Sequence, residues 1–122
     1  MPKNKTLVIG ASENPQRYSN IAMRMLQQIE EPMEAIGRRE GSAHDVGIQT
    51  GLPEISDIQT VTLYVSPRYQ DEYIDYVLNE IQPERIIFNP GTENLEFAQK
   101  AMNNGIEAIN ACTLVMIRTG QY

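Results

Sequence analysis

The sequence predicts an α/β protein: a doubly wound parallel sheet of five or six strands, with helices on both faces in three αβα layers. Two observations carry the prediction. Short apolar runs alternate with helical patterns, the signature of βαβ units whose right-handed crossovers cover both sides of a parallel sheet. Each run is closed by Gly or Pro, and 122 residues supply one domain with one core. The whole chain, 1–122, therefore reads as a single domain.

The first strand is Thr6-Leu7-Val8-Ile9, stopped at Gly10. Residues 18–30 follow as a helix with Ala22, Met25, Leu26 and Ile29 on one face, ended by Pro32. Residues 33–36 form the second strand, closed by Gly37. Residues 38–59 are broken by Gly41, Gly47, Gly51 and Pro53; a short third strand at Val46–Gln49 and one helical turn capped by Ser56 are expected there. Residues 61–65 are the fourth strand, ended by Ser66-Pro67. An amphipathic helix is expected over 69–81, where Tyr73, Val77 and Ile81 recur at steps of four beside Ile74 and Leu78, with Pro83 as its stop.

Arg85–Phe88 is the fifth strand. Thr92 is placed to cap the next helix, and Glu93 and Glu96 suit its positive end. Phe97, Ala98, Ala101 and Met102 form its inner face, and Gly105 sits at its C-terminal cap. Glu107–Asn110 is the last strand, and Thr113–Arg118 reads as a short helix rather than a strand extension. The expected strand order is 3-2-1-4-5, a Rossmann-like arrangement. The six methionines look like core filler, mostly on inner helix faces.

Composition excludes several classes. The chain is 41% apolar and 21% charged, an ordinary globular mix. Sixteen Asp and Glu against ten Lys and Arg give a net charge of −6, which argues against nucleic-acid and anionic-membrane partners. The single Cys112 excludes an intramolecular disulfide and a cysteine-based zinc site. His44 alone leaves no histidine-rich metal site and is taken as a surface residue. No apolar run approaches the ~20 residues of a membrane span. Met1-Pro2-Lys3-Asn4-Lys5 leads into a strand without a signal-peptide core, so a cytoplasmic protein is expected.

Ligands of such sheets bind beyond the carboxyl ends of the strands, so the residues after each strand are the candidates. After strand 1 come Gly10, Ala11, Ser12, Asn14, Arg17, Tyr18 and Ser19. Small residues allow close approach of backbone N–H groups to an anion, hydroxyls and a helix N-terminus add donors, and Arg17 adds a charged fork. The same residues also suit an ordinary tight turn. No second and third glycine complete a dinucleotide fingerprint. Strand 2 ends in Gly37, Arg38 and Arg39, where an NAD site would carry an acid; arginines there suit a ribose phosphate, as in NADP or coenzyme A, or are solvated loop charges. Ser66, Pro67 and Arg68 follow strand 4, and Asn89, Pro90 and Gly91 follow strand 5, either as ligand contacts or as plain turns. Four of the seven arginines (17, 38, 39 and 68) thus fall on one rim of an acidic chain, which favours a polyanionic small ligand. Cys112 lies near the same rim, as a small buried hydrophobe or as a reactive thiol. No Ser–His–Asp set or carboxylate pair stands out.

The run Val8-Ile9-Gly10-Ala11-Ser12, then Asn14-Pro15 with Arg17-Tyr18-Ser19, the Arg-bearing end of strand 2, Phe88-Asn89-Pro90-Gly91 and Cys112 resemble the small stand-alone CoA-binding proteins. These are similar to the CoA-binding domain of the succinyl-CoA synthetase α subunit. The resemblance spans essentially the whole chain. Its most specific parts are Asn89-Pro90-Gly91-Thr92-Glu93-Asn94 and Ala111-Cys112-Thr113-Leu114-Val115-Met116. It implies a Rossmann-like sheet that binds coenzyme A or an acyl-CoA at its carboxyl edge. By position, Gly10-Ala11-Ser12 would face the pantetheine and pyrophosphate, Arg17-Tyr18-Ser19 the start of the helix, and Gly37-Arg38 the adenosine 3′-phosphate. Ser66-Pro67 would lie beside the ligand and Asn89-Pro90-Gly91 near the pantetheine arm. The family's strand 2 usually ends in a Pro-containing segment, where this chain has Ile36-Gly37-Arg38-Arg39. The synthetase also carries a catalytic domain with a phosphorylatable histidine, and nothing in these residues matches it. The resemblance therefore implies binding without thioester chemistry. The alternatives are an NADP-type nucleotide binder or small oxidoreductase, and a regulatory interaction subunit with a vestigial pocket. A protein partner or homodimer is compatible with either.

Overall fold

The structure is a computed structural model and describes residues 3–122. In chain order the elements are β1 (Lys5–Ala11), α1 (Tyr18–Gln28), β2 (Met33–Gly37), β3 (Gly41–Ala43), β4 (Val46–Gln49), β5 (Ile58–Leu63), α2 (Asp71–Asp75), β6 (Arg85–Phe88), α3 (Leu95–Asn103), β7 (Glu107–Asn110) and α4 (Thr113–Arg118). Among the described residues seven strands form one sheet in the order β3-β4-β2-β1-β5-β6-β7. All neighbours pair in parallel except β3 and β4. The six parallel strands therefore follow the expected order, with one further strand after the fifth and an antiparallel strand on the opposite edge.

That added strand, β3, is the main departure. Its partner is reached through His44 and Asp45, both at positive φ (51° and 68°), as a two-residue hairpin requires. The usual Asn-Gly signal is missing, and Gly41-Ser42-Ala43 has no β-branched residue to mark a strand.

The alternation of β1 splits the core. Leu7 and Ile9 join Val61, Leu63, Ile86 and Phe88 beneath α2, its continuation and α3, where Phe88 and Phe97 pack edge to face at 5.3 Å. Val8, Ala11, Ala35 and Ile48 face Met23 and Leu26 of α1 on the other side. Ala22, Met25 and Leu114 join α1 to α4. Each fully buried Leu, Ile or Phe here contributes roughly 1.5–3 kcal/mol by leaving water.

Several boundaries move for identifiable reasons. Helix α1 stops at Gln28 because Glu30 takes a positive φ of 59°, so Ile29 turns outward and is half exposed. The expected helix over 69–81 is a 3₁₀ turn (Pro67–Tyr69), then α2, then a π-helical stretch (Tyr76–Ile81) ended by left-handed Gln82. Its inner face is as expected, with Tyr73, Ile74, Val77, Leu78 and Ile81 buried. Asn94, not Thr92, caps α3 by accepting from the Phe97 N–H (3.1 Å); Thr92 is buried and its hydroxyl donates to the Asn89 carbonyl (2.8 Å). Starting the helix at Leu95 keeps Phe97 and Ala101 inside and leaves Met102 half exposed. Residues 50–57 carry no helical turn, so Ser56 caps nothing, and β5 ends at Leu63, before Tyr64 and Val65. Met23 and Met25 are buried, Met33 and Met116 half-buried, and Met1 lies outside the described residues. No described helix is long and apolar enough to cross a membrane.

Candidate functional site

A parallel sheet sends the ends of β1, β2, β5, β6 and β7 to one edge. At its centre the strands crowd together. Gly10 has a φ of +97°, and a Cβ there would lie 2.8 Å from the backbone carbon and oxygen of Tyr64. A Cβ on Gly37 would lie 2.4 Å from the Ala11 carbonyl oxygen. These glycines are thus required by close backbone approach at the point from which crossovers diverge to either side, where such sheets open a crevice.

The loop from Ser12 to Arg17 closes on itself. The Ser12 hydroxyl accepts from the Asn14 N–H (3.1 Å), the Asn14 side chain accepts from the Gln16 N–H (3.0 Å), and the Asn14 carbonyl accepts from the Arg17 N–H (3.1 Å). Asn20, buried on α1, donates to the Ser12 carbonyl (2.8 Å) and meets His44 Nε2 through its oxygen (2.8 Å). Because the Asn20 oxygen accepts, Nε2 carries a proton. Glu13 adds a second tie to the β3–β4 hairpin by accepting from the Ser42 N–H (2.9 Å). His44 is therefore half-buried and engaged, a correction to its reading as a surface residue.

The start of α1 breaks the usual rule for a helix N-terminus. Arg17 occupies the cap position, no side chain caps the first turn, and no acidic residue lies in it. The positive end of the dipole therefore carries a cation where an acceptor or an anion is normally favoured. Tyr18 is exposed beside it and Ser19 is buried.

Arg38 and Arg68, from the ends of β2 and β5, lie over the same ring: their guanidinium carbons are 5.8 and 5.1 Å from the centroid of Tyr69. Arg39 is exposed. The ion pairs among the described residues are Lys5–Glu34 (3.0 Å) and Lys100–Glu96 (3.1 Å), so none of Arg17, Arg38, Arg39 and Arg68 has a carboxylate partner there.

Beneath this rim the polar side chains are spent inward. Asn89 is buried; its amide donates to the Thr62 hydroxyl (2.8 Å) and the Leu63 carbonyl (2.9 Å), and its oxygen accepts from the Thr113 N–H (2.8 Å). Thr62 and Thr113 share a further bond of 2.8 Å. Gln70, also buried, donates to the carbonyls of Val65 and Thr92 (2.8 Å each) and accepts from Asn94 (2.9 Å), tying the loop after β5 to the turn after β6. Burial pushes the Tyr64 phenol up to about 12, beside Thr62 and Thr113 but without hydrogen-bond geometry to either. Cys112, at the cap position of α4, is half-buried next to Ala22, Met25 and Leu114. Ser66 and Pro67 are exposed, as are Pro90 and Gly91; the Gly91 N–H donates to Glu93 (2.8 Å).

The structure therefore brings Gly10, Ala11, Ser12 and Gly37 to the centre of the edge and Arg38 and Arg68 onto Tyr69. Asn14, Arg17 and Tyr18 stand on the outer loop. Asn89 holds its turn from within and does not present its amide outward. Tyr69, Gln70, Asn20, Thr62 and Thr113 were not singled out in the sequence; an aromatic directly after Arg68 was the available signal for Tyr69. The opposite edge of the sheet holds a cleft of about 400 Å³ lined by Glu31, Gln59, Glu84, Arg85, Glu107 and Tyr122. Three carboxylates against one guanidinium make it the wrong sign for a polyanion.

A doubly wound sheet with a tight β1–α1 turn and a cationic carboxyl edge defines a Rossmann-like ligand-binding domain. The chain belongs to the CoA binding domain family, whose model matches residues 4–118. It is similar over the full length of both chains to the crystal structure of an uncharacterized protein, with 37% identity and a TM-score of 0.94. A hypothetical protein from Pyrococcus horikoshii OT3 shares the fold at 23% identity and a TM-score of 0.85, over 96% of this chain and 83% of that one. A Thermus thermophilus protein does so at 16% identity and 0.83, over 98% and 91%. No curated protein matches the chain.

Proposed function

We propose that this protein is a CoA or acyl-CoA binding module that holds its ligand at the carboxyl edge of the sheet and works without a catalytic centre of its own. The observation that carries the reading is the uncapped start of α1, with Arg17 at its cap position, on the same sheet edge as Arg38 and Arg68, which have no carboxylate partner among the described residues, in a member of a CoA binding domain family. Gly10, Ala11 and Ser12 border the pantetheine and pyrophosphate, with Asn14, Arg17, Tyr18 and Ser19 at the helix start supplying donors to the pyrophosphate. Gly37, Arg38 and Arg39 meet the adenosine end. Ser66, Pro67 and Arg68 flank it from the other side of β1. Pro90 and Gly91 border the pantetheine arm, with Asn89 setting their turn. The lone histidine is held through Nε2 by Asn20.

Calorimetry with CoA, an acyl-CoA and NADPH tests the reading. CoA is expected to bind and NADPH to bind far more weakly. Replacing Arg17 by Ala is expected to weaken CoA by about 1.5–3 kcal/mol, the size of a hydrogen bond to a charged group. NADPH binding without CoA binding would replace the proposal with a nucleotide oxidoreductase, and binding of neither would end it.

A further inference from the structure

We propose that His44 is a positioning residue: acting through Asn20, it braces the β1–α1 loop so that a backbone donor of that loop is turned outward for the ligand. The proposal rests on the CoA reading and adds to it a residue of the β3–β4 hairpin, which itself touches no ligand.

The turn does not call for a histidine. Both its central residues sit at positive φ, 51° for His44 and 68° for Asp45, where Asn-Gly is the favoured pair. Gln27 already ties the turn to α1 by donating to the His44 carbonyl (2.9 Å) and to the Asp45 carboxylate (3.0 Å). The imidazole makes a different connection. Its Nε2 donates to the Asn20 side-chain oxygen (2.8 Å), and the Asn20 amide donates in turn to the Ser12 carbonyl (2.8 Å). Asn20 is buried on α1 close to the apolar Ala22 and Met23, so both ends of its side chain need partners, and His44 and Ser12 supply them.

The relay ends on the peptide between Ser12 and Glu13. A trans peptide points its C=O and N–H in opposite directions, so drawing the Ser12 carbonyl to Asn20 turns the Glu13 N–H away from that side chain. The N–H groups of Asn14, Gln16 and Arg17 are consumed within the loop, whereas that of Glu13 has no partner among the described residues. The Glu13 carboxylate is itself held on the hairpin by the Ser42 N–H (2.9 Å). An oriented, unoccupied backbone N–H is a donor for a phosphate or another oxyanion. Nε2 carries its proton in the imidazolium as in this tautomer of the neutral ring, so the brace requires a donor at that place and not a charge.

The experiment is calorimetry of CoA with the full chain as wild type, His44→Ala, His44→Gln, Asn20→Ala and the double variant His44→Ala with Asn20→Ala, each checked for folding by thermal melt. His44→Ala is expected to weaken CoA three- to tenfold. Gln offers an amide N–H at a similar reach, and His44→Gln is expected to stay within twofold of the wild type. In the Asn20→Ala background the relay is already cut, so His44→Ala is expected to change CoA affinity less than twofold. The chain's single imidazole also reports directly by NMR: linkage is reciprocal, so saturating CoA is expected to slow exchange of the His44 Nε2 proton with water at least threefold. Wild-type affinity in His44→Ala, an equal loss in His44→Gln, additive losses in the double variant, or proton exchange unmoved by CoA overturns the brace while leaving CoA binding intact. If Asn20→Ala does not fold, the His44 variants and the exchange rate decide. A wild type that does not bind CoA overturns the CoA reading and the brace with it.

Discussion

Replacing Asn89 by Ala tests how the rim is held from inside. The substitution removes three side-chain hydrogen bonds of 2.8–2.9 Å from a site with 1% exposure. Their fates differ. Thr62 keeps the Thr113 hydroxyl as a partner, so its loss is small. The Leu63 carbonyl and the Thr113 N–H each lose a buried partner, at about 1–3 kcal/mol apiece. The expected destabilisation is therefore about 2–6 kcal/mol, a large part of the stability of a domain this size. Because Thr113 opens α4, the loss is expected to free the start of that helix first. Urea unfolding followed by circular dichroism gives the total, and amide exchange at Thr113 gives the local part. A change below about 0.5 kcal/mol, typical of a surface substitution, would show that Asn89 does not knit β5, β6 and α4 together.

Two other perturbations have equally definite outcomes. Gly37→Ala forces a Cβ to within 2.4 Å of the Ala11 carbonyl, so β1 and β2 must separate at the rim; a loss of about 1–3 kcal/mol by denaturant titration, with weaker CoA binding, is expected, and a neutral variant would refute the tight approach. Burial pushes Tyr64, Tyr76 and Tyr122 up to about 12, against about 10 in an unfolded chain. The native state then holds more protons than the unfolded one between those values, so stability is unaffected below pH 10 and falls as pH rises from about 10 towards 12. Phenolate absorbance from these three tyrosines should appear together with unfolding; their ionisation in a chain whose stability stays flat across that range would contradict it.

The parts of the fold legible in the sequence are those written in local periodicity. Leu7 and Ile9 against Val8, or Tyr73, Val77 and Ile81, announce their element because each residue's face follows from its neighbours. Gly10 and Gly37 were likewise visible as strand ends, and with them the edge that carries the candidate residues. What escaped depends on distant partners. Asn89 read as a possible outward ligand contact because nothing near it in the chain shows that Thr62, Leu63 and Thr113 consume its amide. Thr92 and Asn94 are both good caps by type, and only the turn's inner tie to Asn89 decides between them. The β3–β4 hairpin turns through His44 and Asp45, and it is tied down by Asn20 and Glu13 from the other side of β2.

The two edges of the sheet treat charge in opposite ways, and the contrast bears on function. At the amino edge cations have partners: Lys5 pairs with Glu34, and Arg85 donates to Thr60 (2.8 Å) and lies 4.9 Å from the centroid of the Tyr122 ring. The Tyr122 hydroxyl and Thr6 are hydrogen-bonded, and Thr6 donates to Glu31 (2.9 Å). At the carboxyl edge a chain with sixteen acidic side chains leaves four arginines without a carboxylate partner among the described residues, and one of them stands at the positive end of a helix. Meanwhile Asn89, Gln70 and Asn20 spend their polar groups inward to hold the loops that carry those arginines. Local rules are satisfied where they fix the loops and broken where the loops meet solvent, which is the pattern expected of a binding site. If a polyanion binds at this edge as proposed, it would offset the charge of these arginines and of the α1 start, and its binding would raise the stability of the folded chain.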